Sequence, residues 1–183
     1  RHSSSAASDV YKRQMYKHVI RPLLYSVNPE KVHYLTANGL AFTNQIPLIK
    51  DIIQRSFSIE STSLERKAFG LNFPNPIGLA AGFDKDARWI EALESLGFGF
   101  IEIGTITPKA QTGNDKPRLF RLQKDEALIN RMGFNNAGVD SAVKRIQKSK
   151  HHLPLGGNIG KNKVTPNENL SLIHISEPTR QSP

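Results

Sequence analysis

One short stretch of the sequence, AAGFDKD at residues 80–86, combines small residues with charged ones. Ala80, Ala81 and Gly82 have little or no side chain, so a flat ring or a phosphate can approach the main chain closely there. Lys85, between two aspartates, offers a cation with three hydrogen-bond donors to a ligand carboxylate. The same pattern is also typical of a capped helix start followed by a solvated lysine. On these residues alone the helix start is the commoner outcome.

Three asparagines lie within a second stretch, NRMGFNN at residues 130–136. Their amides pair donors with acceptors, which suits a planar amide or imide ring. Asparagine and glycine also favour turns, so a plain loop is an equal alternative. Thr105 ends the apolar segment FIEIGT and is able to donate its hydroxyl to a ligand, although threonine is also a common strand residue.

Other site chemistries find little support in the sequence. GNIGKNK at residues 157–163 lacks the spacing of a phosphate-binding loop, and the dinucleotide pattern G-x-G-x-x-G does not occur. His151 and His152 are adjacent but have no third ligand nearby in sequence, and the chain has no cysteine. We therefore expect no metal site.

Helical periodicity marks residues 15–57, in which apolar residues recur at spacings of three and four. Pro22 is expected to bend the first helix. Asn28, Pro29 and Glu30 supply a cap, a first-turn proline and an acid at the positive end of a second helix. A third helix is expected in PLIKDIIQRSF. These residues predict a small helical module with apolar faces and basic flanks.

The pattern changes after residue 60, where LERKAFGLNF predicts a hairpin around Gly70. Alternating strands and helices follow, with a long loop at 106–138 and a helix stop at Gly97. The predicted strands are 77–80, 100–105 and 153–160, and the predicted inward residues of the two helices are Trp89, Ile90, Leu93 and Leu96, then Val139, Ala142, Val143 and Ile146.

Repeated β–α units predict an α/β fold with a parallel sheet, either open or closed into a barrel. In both cases ligands bind at the carboxyl ends of the strands. The loops AAGFDKD, GTITPK and NIGKNK all follow predicted strands. We expect them to converge on one site.

Composition sets broad limits. The chain has 183 residues, 38% of them hydrophobic, which is enough for the core of one domain. Its net charge of +9 is compatible with nucleic acid, an anionic membrane surface, or phosphate and carboxylate ligands. Apolar stretches fall short of the roughly 18 residues that a spanning helix needs, and no signal-peptide core is evident. The sequence therefore predicts that the protein is not an integral membrane protein.

Both ends of the chain differ from the body. Residues 1–14 are serine-rich and aperiodic, and residues 171–183 follow no element pattern, so both are interpreted as non-native tails of translated adapter or vector sequence. Met15 is the expected native start. The tails carry a net +2, which leaves +7 on residues 15–170.

Four motifs occur in order: NPIGLAAGFDKD, GFIEIGTITPKAQTGNDKPRLFRL, INRMGFNNAGVD and NIGKNK. Together they resemble the dihydroorotate dehydrogenases, specifically the quinone-dependent, membrane-associated class. The resemblance covers nearly all of residues 15–170. It implies the first part of a TIM (β/α)8 barrel at 61–170, preceded by a helical membrane and quinone module at 15–60.

The resemblance also implies an activity and its partners. These are FMN-dependent oxidation of dihydroorotate to orotate in de novo pyrimidine (UMP) biosynthesis, a membrane quinone as electron acceptor, and no nucleic-acid partner. The implied location is peripheral, at the cytoplasmic face of the bacterial inner membrane, because the family's helical module contacts the bilayer surface with its apolar faces.

Site residues follow from the same motifs, position by position. The implied FMN contacts are Ala81, Gly82, Phe83, Asp84, Lys85, Thr105 and Asn158. The implied substrate contacts are Lys85, Asn130, Arg131, Met132, Gly133 and Phe134. His33 and Arg121 match residues lining the quinone passage, although His33 is nearly as well explained as an ordinary surface or core histidine.

Several parts of the family pattern have no match in this chain, among them the catalytic serine, further substrate asparagines and the phosphate-binding strands. A TIM barrel takes about 250 residues, so we expect the chain by itself to leave a sheet edge unpaired, to fold poorly and to be inactive. The catalytic base is expected outside these residues.

Two other functions remain as alternatives. A different flavin-dependent barrel would share the small-residue platform but not NRMGFNN. A basic module that binds nucleic acid is supported only by the net charge, because the sequence lacks a basic stripe interleaved with aromatic residues.

Overall fold

The structure, a computed structural model, describes residues 11, 14–59 and 61–166. The predicted tail at 171–183 lies outside the described residues, as does most of the tail at 1–14. The chain forms two units. The first combines the residues up to Gly39 with Asp115–Arg131, and the second combines Leu40–Asn114 with the residues from Met132 onward.

Helices occupy the beginning of the described chain. A π-helical turn at Tyr16–Ile20 leads into α1 (Arg21–Tyr25), and α2 (Pro29–Thr43) and α3 (Pro47–Phe57) follow. The predicted start of α2 is confirmed, because Asn28 Oδ1 accepts the Glu30 N–H at 3.0 Å. No described helix has the length and apolar content required to cross a membrane.

The strands after residue 60 form a hairpin and a parallel sheet. β1 (Arg66–Ala68) and β2 (Leu71–Phe73) pair antiparallel around Gly70, which confirms the predicted hairpin. The parallel sheet contains β3 (Gly78–Leu79) and β4 (Phe100–Ile106), and a later strand at Leu155–Ile159 pairs with the other edge of β4. Among the described residues this sheet is open, not closed into a barrel.

The core lies where α4 (Ile90–Glu94) packs against β4. Its fully buried side chains include Leu93, Ile101 and Ile103. The inward face predicted for this helix is confirmed at Trp89, Ile90 and Leu93, which are all buried. Because the loop after β3 leads into α4, this core adjoins that loop.

The long loop predicted at 106–138 is wrong in part, because it contains a second hairpin. β5 (Leu119–Leu122) pairs antiparallel with β6 (Ala127–Asn130). Both strands have four residues, and every residue of β6 is exposed. The sequences of β5 and β6 do not alternate between apolar and polar residues, and the turn between them has no glycine. The sequence therefore lacks the usual signals of a hairpin at this position.

The inward face predicted for α5 (Val139–Lys148) is only partly correct. Ala142 is buried, but Val139 and Val143 are 41% and 42% exposed. Periodicity determines which side chains share a helix face, but it does not determine whether another element covers that face. The strand at Leu155–Ile159, β7, completes the described elements.

Candidate functional site at the carboxyl edge of the parallel sheet

The loop after β3 is shaped by Asp84, whose side chain is 1% exposed. One carboxylate oxygen accepts the Arg88 N–H at 2.9 Å, and the other accepts the Trp89 N–H at 2.7 Å. The Asp84 carbonyl also accepts the Gly104 N–H of β4 at 3.0 Å. Asp84 therefore fixes the turn that precedes α4 and ties the loop to the sheet, whereas the N-cap of α4 is Trp89, which has no side-chain cap bond.

Gly82 leaves the main chain of this loop open. Its φ is +109°, and a Cβ built at this position would meet no atom within 4 Å. An L side chain would be strained in that conformation and would fill the open space. The Gly82 N–H donates to the Gly104 carbonyl at 2.7 Å, which fixes the open segment against β4.

Lys85 links this loop to the asparagine-rich loop. Its Nζ lies 2.9 Å from Asn135 Oδ1 and 3.7 Å from Met132 Sδ. Asn135 and Met132 are buried, whereas Gly133 and Phe134 between them are exposed. The structure thus brings together two loops that the sequence singled out separately. Their shared cation is half-buried.

Thr105 and Asn158 lie side by side at the ends of β4 and β7. The Thr105 hydroxyl donates to Asn158 Oδ1 at 2.6 Å, and Asn158 Nδ2 donates to Glu102 Oε1 at 3.3 Å. The other Glu102 oxygen accepts the Ala81 N–H at 3.4 Å. Three of the residues predicted to contact FMN are therefore joined through Glu102, a residue that the sequence analysis missed.

Asn136 is one of the three asparagines that the sequence singled out as possible ligand groups, and the structure gives it a different role. It is 7% exposed. Its Oδ1 accepts the N–H groups of Thr107 and Gly138 at 3.2 and 2.9 Å. Its Nδ2 donates to the Phe134 carbonyl at 2.7 Å and to Thr107 Oγ1 at 2.9 Å. One amide thus uses all its donors and acceptors to fix the asparagine-rich loop to the segment after β4.

Asn162 performs the same task from the loop after β7. Its Oδ1 accepts the Lys109 N–H at 3.0 Å, and its Nδ2 donates to the Lys109 carbonyl at 2.7 Å. Nδ2 also lies 3.2 Å from Thr107 Oγ1, so the two asparagines share a partner that is fully buried. We call Thr107, Asn136 and Asn162 the amide cluster. The sequence does not indicate that these three residues meet, because Asn136 and Asn162 are 29 and 55 residues from Thr107 along the chain.

Asn130 and Arg131, two further predicted substrate contacts, belong to the first unit. Asn130 ends β6 opposite Leu119. The Arg131 N–H donates to the Arg118 carbonyl at 2.9 Å, and its guanidinium lies 5.8 Å from the centre of the Phe120 ring. The open end of the second hairpin therefore leads directly into the asparagine-rich loop.

Of the two predicted quinone residues, Arg121 has the better defined surroundings. It donates to the Val27 carbonyl at 2.8 Å, and its guanidinium lies 4.7 Å from the centre of the Tyr25 ring. His33 lies on α2 and contacts the Tyr34 ring edge to face at 5.4 Å. Arg121 thus holds the turn between α1 and α2.

A buried ion pair joins the same hairpin to α2. Arg118 Nη2 and Nε lie 2.6 and 3.0 Å from the two oxygens of Glu30, and both side chains are almost fully buried. Lys116 Nζ lies 3.5 Å from the same carboxylate but is 70% exposed. The hydrogen bonds from Arg118 lower the pKa of Glu30, against the opposing effect of burial.

Comparisons with known proteins identify the family of the chain. The model of the dihydroorotate dehydrogenase family matches residues 63–180. A protein of Christiangramia forsetii named dihydroorotate dehydrogenase (quinone) is 57% identical over 154 residues, which are 84% of this chain and 45% of that protein. The chain belongs to the dihydroorotate dehydrogenase family. A relative of the same name from Thermus thermophilus is 46% identical over 163 residues.

A solved member of the family is also similar. The dihydroorotate dehydrogenase of Eimeria tenella in complex with ferulenol is 44% identical, with a TM-score of 0.54 over 66% of this chain and 36% of that one. The chain spans about half the length of the curated relatives it matches. The α/β fold with a parallel sheet is therefore of the TIM-barrel type found in this family, and the described residues contain an open part of it with three strands.

Experiments on this site use a hybrid enzyme. In it, residues 15–166 of this chain replace the matching segment of the Christiangramia forsetii dihydroorotate dehydrogenase. The 57% identity between the two segments favours compatible packing with the rest of that enzyme. The unsubstituted hybrid is the reference for every variant.

The first prediction concerns acid stability. Because Arg118 lowers the pKa of Glu30 below its usual value of 4.5, the ion pair stabilises the hybrid fully above that pH and is lost as pH falls through the lowered value. Glu30→Gln should therefore cost about 3 kcal/mol of unfolding free energy at pH 7 and progressively less below about pH 4.5. Urea unfolding from pH 7 to pH 3 measures this, and an equal loss at every pH would contradict it.

The second prediction concerns the amide cluster. Asn136→Ala leaves several buried main-chain groups unpaired and should cost about 2–4 kcal/mol of unfolding free energy. Asn44→Ala is the matched control, because Asn44 Oδ1 is buried with no hydrogen-bond partner in the part of the chain that the structure describes. It should change stability by less than about 0.5 kcal/mol. Equal losses in the two variants would show that the cluster adds nothing.

Proposed function

We propose that the chain supplies flavin-binding and substrate-binding loops of a quinone-dependent dihydroorotate dehydrogenase. That enzyme oxidises dihydroorotate to orotate in de novo pyrimidine (UMP) biosynthesis. The observation that carries the proposal is the 2.9 Å contact between Lys85 Nζ and Asn135 Oδ1, because it joins an open main-chain platform to an amide-rich loop around one cation. The names of the relatives support the same reaction.

The residues around the platform fit FMN. A flat flavin ring needs main chain without projecting side chains, and a Cβ at Gly82 or at Gly157 would meet nothing within 4 Å. Thr105 and Asn158 add a hydroxyl and an amide at the adjacent strand ends. Bound FMN supplies a two-electron acceptor for the substrate.

The chain's own residues bind and orient the substrate. Dihydroorotate carries a carboxylate, and Lys85 presents a half-buried ammonium whose direction is set by Asn135. The exposed main chain at Gly133 and Phe134 offers donors and acceptors to the edges of the ring, and the family resemblance adds the amide of Asn130 as a further contact. The base that removes the substrate proton is expected outside this chain.

The helices support contact with a membrane surface and with a quinone. Large apolar side chains on α1, α2 and α3 are exposed, among them Leu23, Leu35 and Leu48. Lys17 and Arg21 lie in the same part of the chain and suit anionic headgroups. We infer a peripheral position at the cytoplasmic face of the bacterial inner membrane, with His33 and Arg121 beside the quinone.

The third prediction tests substrate binding. The hybrid should be yellow with bound FMN and should reduce a soluble quinone in the presence of dihydroorotate. Lys85→Ala should raise the KM for dihydroorotate between about 10-fold and 100-fold, because it removes a charged hydrogen-bond donor. Lys67→Ala, at an exposed position on β1, is the matched control and should leave KM unchanged. A colourless hybrid, or an unaltered KM in Lys85→Ala, would refute the proposal.

The fourth prediction concerns the 183-residue chain by itself. We propose that it gives no turnover, because it spans 45% of the Christiangramia forsetii relative and, as far as the structure describes it, the sheet is open at β3 and β7. Quinone reduction is measured with purified chain, added FMN and dihydroorotate. Turnover above the rate without protein would show that these residues suffice for the reaction.

A further inference from the structure

The hairpin of β5 and β6 connects helix α2 to the start of the asparagine-rich loop. At its open end, Arg118 precedes β5 and Arg131 follows β6, and the Arg131 N–H donates to the Arg118 carbonyl at 2.9 Å. Leu119 and Asn130 form the next pair of the ladder. The main-chain position of Asn130 and Arg131 is therefore tied to that of Arg118.

Arg118 is in turn fixed by Glu30, 88 residues away in sequence. The guanidinium binds both carboxylate oxygens, at 2.6 and 3.0 Å, and this two-point geometry determines direction as well as distance. Glu30 is itself held, because Asn28 Oδ1 accepts its N–H at 3.0 Å at the start of α2. A rigid chain of contacts thus runs from the first turn of α2 to Arg131.

A buried ion pair is weak evidence for a stabilising role, because desolvation offsets much of the attraction between the charges. The pair instead restrains the position of Arg118, because a buried guanidinium that leaves its carboxylate loses both hydrogen bonds at once. Movement of Arg118 would carry Arg131 and Asn130 with it. These two residues begin the loop to which the proposed function assigns the substrate.

We propose that Glu30 is a positioning residue for dihydroorotate, acting through Arg118 and the hairpin on the first residues of the substrate loop. This inference rests on the proposed function, which assigns that loop its ligand. Its distinctive consequence is that a residue on a helix of the predicted quinone module determines substrate affinity. If Glu30 acted only in quinone binding, its substitution would raise only the KM for the quinone. If Glu30 acted only in stability, its substitution would have the same effects as any other destabilising substitution.

Lys116 provides the matched control. It contacts the same Glu30 oxygen at 3.5 Å, but it is 70% exposed and makes a single contact. Exposed pairs of this kind contribute little. Lys116→Gln should therefore change the KM for dihydroorotate by about threefold or less.

The test measures steady-state kinetics and orotate binding in the hybrid enzyme and its variants. Glu30→Gln and Arg118→Gln should each raise the KM for dihydroorotate and the Kd for orotate roughly 10-fold to 100-fold, the effect expected when a binding group is misplaced by about 1 Å. The KM for the quinone should rise less than the KM for dihydroorotate, because Arg121 is also held by the Val27 carbonyl and the Tyr25 ring. The double variant should be no worse than the more affected single variant, because both substitutions break one pair. Glu30→Asp, which keeps the charge, should recover part of the affinity.

Leu93→Ala separates positioning from general loss of stability. Leu93 is 1% exposed in the core of the second unit, so its truncation should lower Tm while leaving the KM for dihydroorotate within about twofold of the reference. Selective loss of dihydroorotate affinity in Glu30→Gln, absent from Leu93→Ala, supports the inference. An unchanged KM in Glu30→Gln, a rise in the quinone KM alone, or equal effects in both variants would overturn it.

Failure of the proposed function and failure of the inference about Glu30 give different results. If the unsubstituted hybrid does not oxidise dihydroorotate, the proposed function fails and the inference fails with it. If the unsubstituted hybrid is active and Glu30→Gln retains its dihydroorotate KM, only the inference fails.

Discussion

Burial of polar groups at the carboxyl edge of the parallel sheet is the constraint on which the candidate site depends. Each β–α connection leaves main-chain donors and acceptors that water cannot reach, and each must find a partner. Asn136 and Asn162 satisfy them with side-chain amides and share the hydroxyl of Thr107, which is fully buried. The same hydrogen bonds join three loops. The bonds that satisfy the buried polar groups therefore also determine the geometry of the site.

That arrangement leaves selected main chain exposed. Around Gly82 the chain adopts a conformation that suits glycine, and the space beside it is open. Asp84, buried two residues later, accepts the N–H groups of Arg88 and Trp89 and so fixes the shape of this loop. The main chain at Gly82 is therefore open, while both oxygens of the nearby Asp84 carboxylate are used by main-chain N–H groups. Lys85, the next residue, is left to face the asparagine-rich loop.

The sequence predicted three parallel strands in succession along the chain and the loops that follow them, because apolar periodicity and glycine stops are local signals. It did not predict the hairpin that ends at Asn130, whose four-residue strands carry no such signal. It missed Glu102, and it interpreted Asn136 as one of three possible ligand amides, whereas the structure bonds Asn136 to Thr107, 29 residues away along the chain. Asp84 was assigned to FMN by resemblance, whereas both of its carboxylate oxygens bind main-chain N–H groups; its contact with FMN remains a prediction.

We propose that the loop after β3 and the asparagine-rich loop together hold a flavin and a carboxylate substrate around Lys85. A crystal structure of the hybrid enzyme with FMN and orotate is the decisive measurement. We expect the flavin ring to lie against the main chain at Gly82, and the orotate carboxylate to lie within hydrogen-bonding distance of Lys85 Nζ. Orotate bound away from Lys85, or a flavin displaced from Gly82, would contradict it.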